Sequence, residues 1–346
     1  MTPRIVRIVS AAPDLVVKQD EVYDVLFNGL YREIPKAAEV FGAAQVRERH
    51  FAWHPRDVFG NELPPMGARM RAWEEQVLAL GRQTCHQALD GVDRDLVGSF
   101  VLVSCTGYSA PGPDSVLASE LRLRQEIRRS FIGHMGCSAA FNAIKVALDA
   151  LAARPDELAL ITCAEVCSVH ASSEVSAEQM VIHSLFADAC CSLLLSAAPG
   201  ARGTEVLRTY SETHPAFGET LTWRISDSGF RMTVSPYLPA ILAQAINPFV
   251  TRLLSPAGLS RTDITHWGVH PGGPKIIDLV GDRLDLTSKQ LRPSREILAE
   301  YGNCSSPTIL LILERVLATS SPEPGEYGVF MAFGPGLAME SMLVRF

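Results

Sequence analysis

The chain opens on an alternation of apolar and polar positions, Ile5-Val6-Arg7-Ile8-Val9, the period of a strand with one covered face. From Asp20 to Leu30 the apolar residues fall at helical spacing, with Asp20 placed as the cap. The stretch His54 to Arg69 holds Pro55, Gly60, Pro64, Pro65 and Gly67 and reads as a loop, after which helical spacing resumes from Arg71 to Leu89. Phe100-Val101-Leu102-Val103-Ser104 and Leu158 to Cys163 are short continuous apolar runs, as in strands covered on both faces. Between them Ala139, Ala140, Ala143, Ile144, Ala147, Leu148 and Leu151 make one buried helical stripe, closed by Arg154-Pro155-Asp156. Strand, helix and strand in that order predict a crossover between parallel strands. A third run, Ala189 to Leu195, completes a first half, and Ala197-Ala198-Pro199-Gly200 with Gly203 marks a junction. The theme then returns: Ile264 to His270 and Tyr327 to Phe333 are apolar runs separated by the helical Thr308 to Leu317, and Met339 to Phe346 is a last strand. The class is α/β, with a duplication of architecture rather than of residues.

Composition narrows the function. The 346 residues are 47% apolar and 20% charged, enough to bury a large core. A formal charge of −7 speaks against a nucleic-acid partner. No run approaches the roughly 18 apolar residues of a membrane span, and no N-terminal run of the sequence combines basic residues with a long apolar segment. A cytoplasmic protein without membrane insertion is expected. The eight cysteines lack the spacing of a disulfide framework or of a zinc site, so no metal is expected. Arg122, Arg124, Arg128 and Arg129 form a basic cluster that reads as a solvated helix face.

Candidate chemistry begins at Gly133-His134-Met135-Gly136-Cys137-Ser138-Ala139-Ala140, where a lone thiol stands at the hand-over from loop to helix. The positive end of a helix favours the thiolate, the reactive form of cysteine. Most intracellular cysteines are buried structural ones, and position alone does not exclude that reading for Cys137. Three further patterns bear on the choice: Trp267-Gly268-Val269-His270-Pro271-Gly272-Gly273-Pro274, Tyr301-Gly302-Asn303-Cys304-Ser305-Ser306, and Phe333-Gly334-Pro335-Gly336. His270 ends a strand, and Asn303 is expected to open the helix carrying Ile309, Leu310, Leu311 and Leu313. A histidine activates a thiol, and histidine with asparagine can bind the oxyanion of a thioester or its enolate.

Taken together, and in this order along nearly the whole chain, these motifs resemble the type III polyketide synthases, the chalcone-synthase-like family of the thiolase superfamily. The resemblance implies a thiolase-like αβαβα five-layered fold from two halves, 1–200 with the nucleophile and 201–346 with the histidine and asparagine. It further implies a homodimer that condenses malonyl-CoA iteratively onto an acyl-CoA starter, with release of a phenolic or pyrone product. Coenzyme A thioesters are then substrates, and no cofactor is implied. Cys137 would hold the starter and growing chain, His270 would activate it, and His270 with Asn303 would stabilise the enolate. Phe186 matches a gatekeeping wall, although a lone phenylalanine is also ordinary core packing. Cys105, Thr106, Cys167, His170 and Ser305 match cavity positions, as do Trp223 and Met232 flanking Asp227-Ser228-Gly229, and Gly334, Pro335 and Gly336 match a loop at the site. Cys105-Thr106-Gly107 resembles the bacterial naphthalene-synthase branch; the cysteine there is equally a small apolar filler. Lys36 matches a residue that meets coenzyme A phosphates, while the neighbouring match is Glu39. The sequence departs from the family at Ser138-Ala139-Ala140-Phe141-Asn142, where glycines are usual, and at Ala332. That departure motivates an alternative, a single-step condensing enzyme or acyltransferase like ketoacyl synthase III.

Overall fold

A computed structural model describes residues 2–54, 63–226 and 229–346. Its strands are β1 (Arg4–Ala11), the short pair β2 (Val16–Lys18) and β3 (Glu48–His50), β4 (Val97–Val103), β5 (Arg128–Ile132), β6 (Leu158–Val166), β7 (Asp188–Ser196) and β8 (Thr204–Thr213). They continue as β9 (Leu221–Ser226), β10 (Gly229–Val234), β11 (Ile264–Val269), β12 (Tyr327–Gly334) and β13 (Ala338–Arg345). Nine of them share one mixed sheet in the order β11-β12-β13-β8-β1-β7-β6-β4-β5. The two halves of that sheet meet where β1 pairs with β8, at Arg4↔Glu205 and Ile5↔Thr204, and Val206 N–H adds a bond to Pro3 O at 2.9 Å.

Every residue of β4 and β7 is buried, so these strands need cover on both faces. The helices Ala139–Ala153 and Thr308–Arg315 supply it as a central layer. Ile144 and Leu151 of the first and Ile309 to Leu313 of the second share a core with Val101 and Ile161 of one half-sheet and Phe330 and Met342 of the other. Met66–Ala88 and Pro113–Glu120 cover the outside of the first half; Leu238–Leu254, Pro274–Leu284 and Ser288–Tyr301 cover the second. The result is the expected αβαβα stack. Among the described residues only Gly136–Ala153 is long and apolar enough to cross a membrane, and it forms this central helix.

The β4 to β6 crossover is parallel as expected, with Phe100 opposite Leu160. It is longer than the pattern implied, because Pro113–Glu120 and the edge strand β5 lie inside it. The basic cluster is therefore not a helix face: Arg128 and Arg129 belong to β5, Arg124 and Arg128 pair with Glu157, and Arg129 pairs with Asp114. The segment expected as one helix from Asp20 to Leu30 is broken into Gln19–Glu21, a wide turn Val22–Phe27 and Asn28–Tyr31. Lys18, not Asp20, occupies the cap position, and the Asp20 carboxylate accepts the Glu21 N–H from inside the turn. Of the loop predicted over 54–69, residues 55–62 lie outside the described residues, and the end is helical from Met66. The helix expected at Asn303 starts five residues later at Thr308, leaving Asn303 in the loop that precedes it.

Candidate active site

Cys137 sits in the tight turn Gly136–Ser138 that leads into the central helix. Gly136 has φ 60°, a conformation open to glycine, and a β-carbon there would fall 2.4 Å from Pro335 Cδ. At Gly334 an added β-carbon would lie 2.2 Å from Ser138 Oγ. The Gly334-Pro335-Gly336 loop thus rests directly on the nucleophile turn. His270 follows β11, fixed by its backbone N–H to Met331 O at 2.9 Å. Its ring is 1% exposed, and neither nitrogen has a partner among the described residues. Asn303 is pinned by its backbone: its N–H donates to Leu185 O at 2.7 Å, and its carbonyl accepts from Ala187 N at 3.0 Å. These bonds form a bridge beside Phe186. The Asn303 side-chain oxygen accepts from Ser305 N at 2.8 Å and faces Cys137 Sγ at 3.9 Å.

Burial pushes the Cys137 thiol up to about 12, opposed by hydrogen bonding with Ser305 and Asn303 and reinforced by the nearby Glu165 charge. Burial alone brings His270 down to about 3. The easy deprotonation expected from the helix end is therefore not found. A dehydrated thiol outweighs the half-charge of a helix terminus. Proton transfer from thiol to imidazole leaves the pair neutral overall, the form of charge separation that a buried site tolerates best.

One residue of the site has no place in the motifs. Glu165, near the end of β6, is 0% exposed. One carboxylate oxygen accepts from Cys105 N and Thr106 Oγ1, both at 2.8 Å, and the other from Ser306 Oγ at 2.6 Å. It ties the segment after β4 to the Asn303 loop. Its signal in the sequence is a single charge in the apolar run from Leu158 to Val166. Burial raises this carboxyl to about 7 from 4.5, against the bonds from Ser306, Cys105 and Thr106. The fold therefore keeps a proton that the unfolded chain has released, and stability falls as pH rises from 4.5 through about 7. The difference amounts to about 3 kcal/mol. Glu165→Gln cannot ionise and should escape that loss. Its stability relative to wild type in urea unfolding should rise by up to about 3 kcal/mol from acid to mildly alkaline pH; a constant difference would contradict the assignment.

A cavity of about 870 Å³, counting the space at its mouth, opens beside this centre. Cys105, Thr106, Cys167, His170, Phe186, Trp223, Met232, Ser305 and Pro335 all line it. Gly334 and Gly336 support the loop without lining the cavity, and Gly336 donates its N–H to Leu221 O at 2.9 Å. Trp223 and Met232 face each other across the β9–β10 hairpin, whose Asp227 and Ser228 lie outside the described residues. Lys36 is not brought to the cavity: it is exposed, 4.0 Å from Glu39, with a left-handed backbone. Motif reading missed Arg49, Trp53, Gln179 and His183, which also line the cavity.

Comparison with known proteins matches this geometry to a family. The model of the N-terminal domain of chalcone and stilbene synthases matches residues 3–199, and that of the C-terminal domain matches 206–346. The chain belongs to the chalcone and stilbene synthase family; it is a type III polyketide synthase, an acyltransferase that condenses malonyl-CoA units. It is 32% identical to a 3,5-dihydroxyphenylacetyl-CoA synthase of Streptomyces toyocaensis, over 99% of this chain and 90% of that protein. It is 31% identical to the alpha-pyrone synthesis polyketide synthase-like Pks18 of Mycobacterium tuberculosis, over 96% of this chain and 88% of the relative. Among solved structures, the 1,3,6,8-tetrahydroxynaphthalene synthase of Streptomyces coelicolor superposes with a TM-score of 0.92 at 25% identity, covering 99% of both chains. PKS-I of the brown alga Ectocarpus siliculosus gives 0.93 at 28% identity, over 99% of this chain and 98% of that one. The single-step alternative raised by Ser138 to Asn142 is not favoured.

Proposed function

We propose that Cys137 carries the acyl chain and that His270 and Asn303 activate both partners of the condensation. The observation that carries this reading is the Asn303 side chain 3.9 Å from Cys137 Sγ; His270 is buried with both ring nitrogens unpartnered among the described residues, and the family resemblance assigns it to the same centre. His270 takes the Cys137 proton, sulfur attacks the acyl-CoA thioester, and the C–S bond to coenzyme A breaks as the proton passes to the leaving thiolate. Malonyl-CoA then loses CO₂, and the electron pair of the broken C–C bond moves onto the thioester oxygen. The His270 and Asn303 N–H groups bind that enolate. Its carbon attacks the Cys137 thioester, freeing the cysteine and leaving a chain two carbons longer on coenzyme A.

Phe186 separates the coenzyme A entrance from the cavity, and Lys36, held in solvent, is available to coenzyme A phosphates. After repeated extension the chain cyclises to a phenol or pyrone, the product classes that the relatives' names describe. A homodimer is supported by the edge strand β5, with exposed Phe131 on it, and by exposed Tyr108 after β4 and Met135 after β5. A cytoplasmic location accords with the coenzyme A substrates. Incubation of the purified protein with radiolabelled malonyl-CoA and a panel of acyl-CoA starters should yield an extended, cyclised product; folded protein that makes none contradicts the reading.

A further inference from the structure

The backbone that holds Asn303 is itself held by a buried cation. Asn303 N–H donates to Leu185 O, on the last residue of the helix Ala177–Leu185. The end of a helix presents carbonyls that have no partner within it. Here four in a row are taken by groups from elsewhere. Gln19 Nε2 donates to Ser184 O at 2.9 Å and Asn303 N to Leu185 O at 2.7 Å, while Arg49 Nη1 donates to His183 O at 2.6 Å and to Phe186 O at 3.0 Å. The two Arg49 bonds thus bracket the carbonyl that holds Asn303, and the cation stands at the helix end where positive charge is favoured.

The aliphatic stem of Arg49 meets the same loop from another side. Gly302 has φ 71°, and a β-carbon there would lie 2.5 Å from Leu185 O and 3.1 Å from Arg49 Cδ. The residues around Arg49 follow the motif too: Arg47 N–H donates to Ala299 O at 2.7 Å, and the His50 ring stacks on Tyr301 at 5.2 Å and 20°. The segment carrying β3 therefore runs beside Ala299 to Asn303. Arg49 is 1% exposed, and its Nε and Nη2 have no partner among the described residues. Burial lowers it to about 9, opposed by the Asp188 charge, so it remains a cation at neutral pH. A buried charge held chiefly by carbonyls is costly to a fold. We propose that Arg49 is a positioning residue for Asn303, setting its side-chain amide against the enolate of malonyl-CoA decarboxylation through Phe186 and Gly302. This deepens the polyketide reading above and rests on it.

The test separates two activities of the full chain: release of CO₂ from malonyl-CoA without starter, and loading of a radiolabelled acyl-CoA starter onto Cys137. Arg49→Met keeps a stem against Gly302 and removes the bonds to His183 and Phe186. It should slow decarboxylation about 10²-fold, the cost of displacing a catalytic group by about 1 Å, while loading stays near wild type. In an Asn303→Ala background the same substitution should slow decarboxylation little further, because residues that act as a unit do not add. Equal loss of both activities, no loss of decarboxylation, or a second loss of about 10²-fold in the Asn303→Ala background overturns the proposal. Should Arg49→Met fail to fold, Arg49→Lys decides. It can keep one of the two bonds and should show the same split at about tenfold, the worth of one hydrogen bond. Failure of both variants to fold assigns Arg49 to the fold alone and overturns the proposal. Wild type that neither decarboxylates nor extends malonyl-CoA would refute the polyketide reading instead, and a crystal structure of the variant would still judge Arg49. Asn303 should there leave its place 3.9 Å from Cys137 Sγ, and an unmoved Asn303 overturns the proposal.

Discussion

Replacing His270 by alanine is expected to lower product formation at least about a thousandfold while leaving the fold in place. The imidazole is asked to move the Cys137 proton and to stabilise the enolate, and general acid–base catalysis alone is worth about 10²–10⁴. The fold loses little, because His270 is held by its backbone N–H to Met331 and its ring makes no hydrogen bond among the described residues. The pH dependence of stability gives an independent readout. Buried His270 titrates near 3 rather than 6.5. Below 6.5 the unfolded chain takes up a proton that the fold refuses, so wild type loses stability as pH falls from 6.5 toward 3. His270→Ala lacks that contribution and should lose less stability on acidification in urea unfolding. A variant that keeps more than a tenth of wild-type turnover would remove His270 from the mechanism.

Asn303→Ala is expected to reduce extension about 10²–10³-fold, the usual cost of one oxyanion donor. The side-chain oxygen is engaged by Ser305 N, so its NH₂ is the group left to donate to the enolate. The variant should decarboxylate malonyl-CoA far more slowly but load a starter onto Cys137 at a rate closer to wild type. The bridge to Leu185 and Ala187 is made by backbone and survives the substitution. Ser305 N loses its acceptor, at a stability cost of about 1–3 kcal/mol. Equal loss of loading and decarboxylation would assign Asn303 to positioning Cys137 rather than to the enolate.

The strands that build the site were legible because their apolar runs are continuous: β4, β6 and β7 are covered on both faces and leave no other reading. Strand β5 was hidden by its place at the edge of the sheet. Its Arg128 and Arg129 are satisfied by Glu157 and Asp114 from distant segments, pairings that no local pattern shows. The positions of Cys137, His270 and Asn303 could be read because each stands at the end of an element, held by glycines or a proline. Their electrostatics could not. A helix terminus is visible in sequence, whereas the dehydration that pushes Cys137 up to about 12 comes from burial by the whole fold. Glu165 illustrates the same limit, since its partners Cys105, Thr106 and Ser306 come from two segments far apart in the chain. Lys36 shows the converse: a match in sequence lies on the surface, beside an opposite charge.

The central claim is that Cys137 is the acyl carrier, and peptide mass spectrometry after a brief incubation with an acyl-CoA starter and no malonyl-CoA tests it most directly. The account predicts one acyl group on the peptide containing Cys137, absent from Cys137→Ala and strongly reduced in His270→Ala. Acylation at another of the eight cysteines with Cys137 unmodified would contradict it.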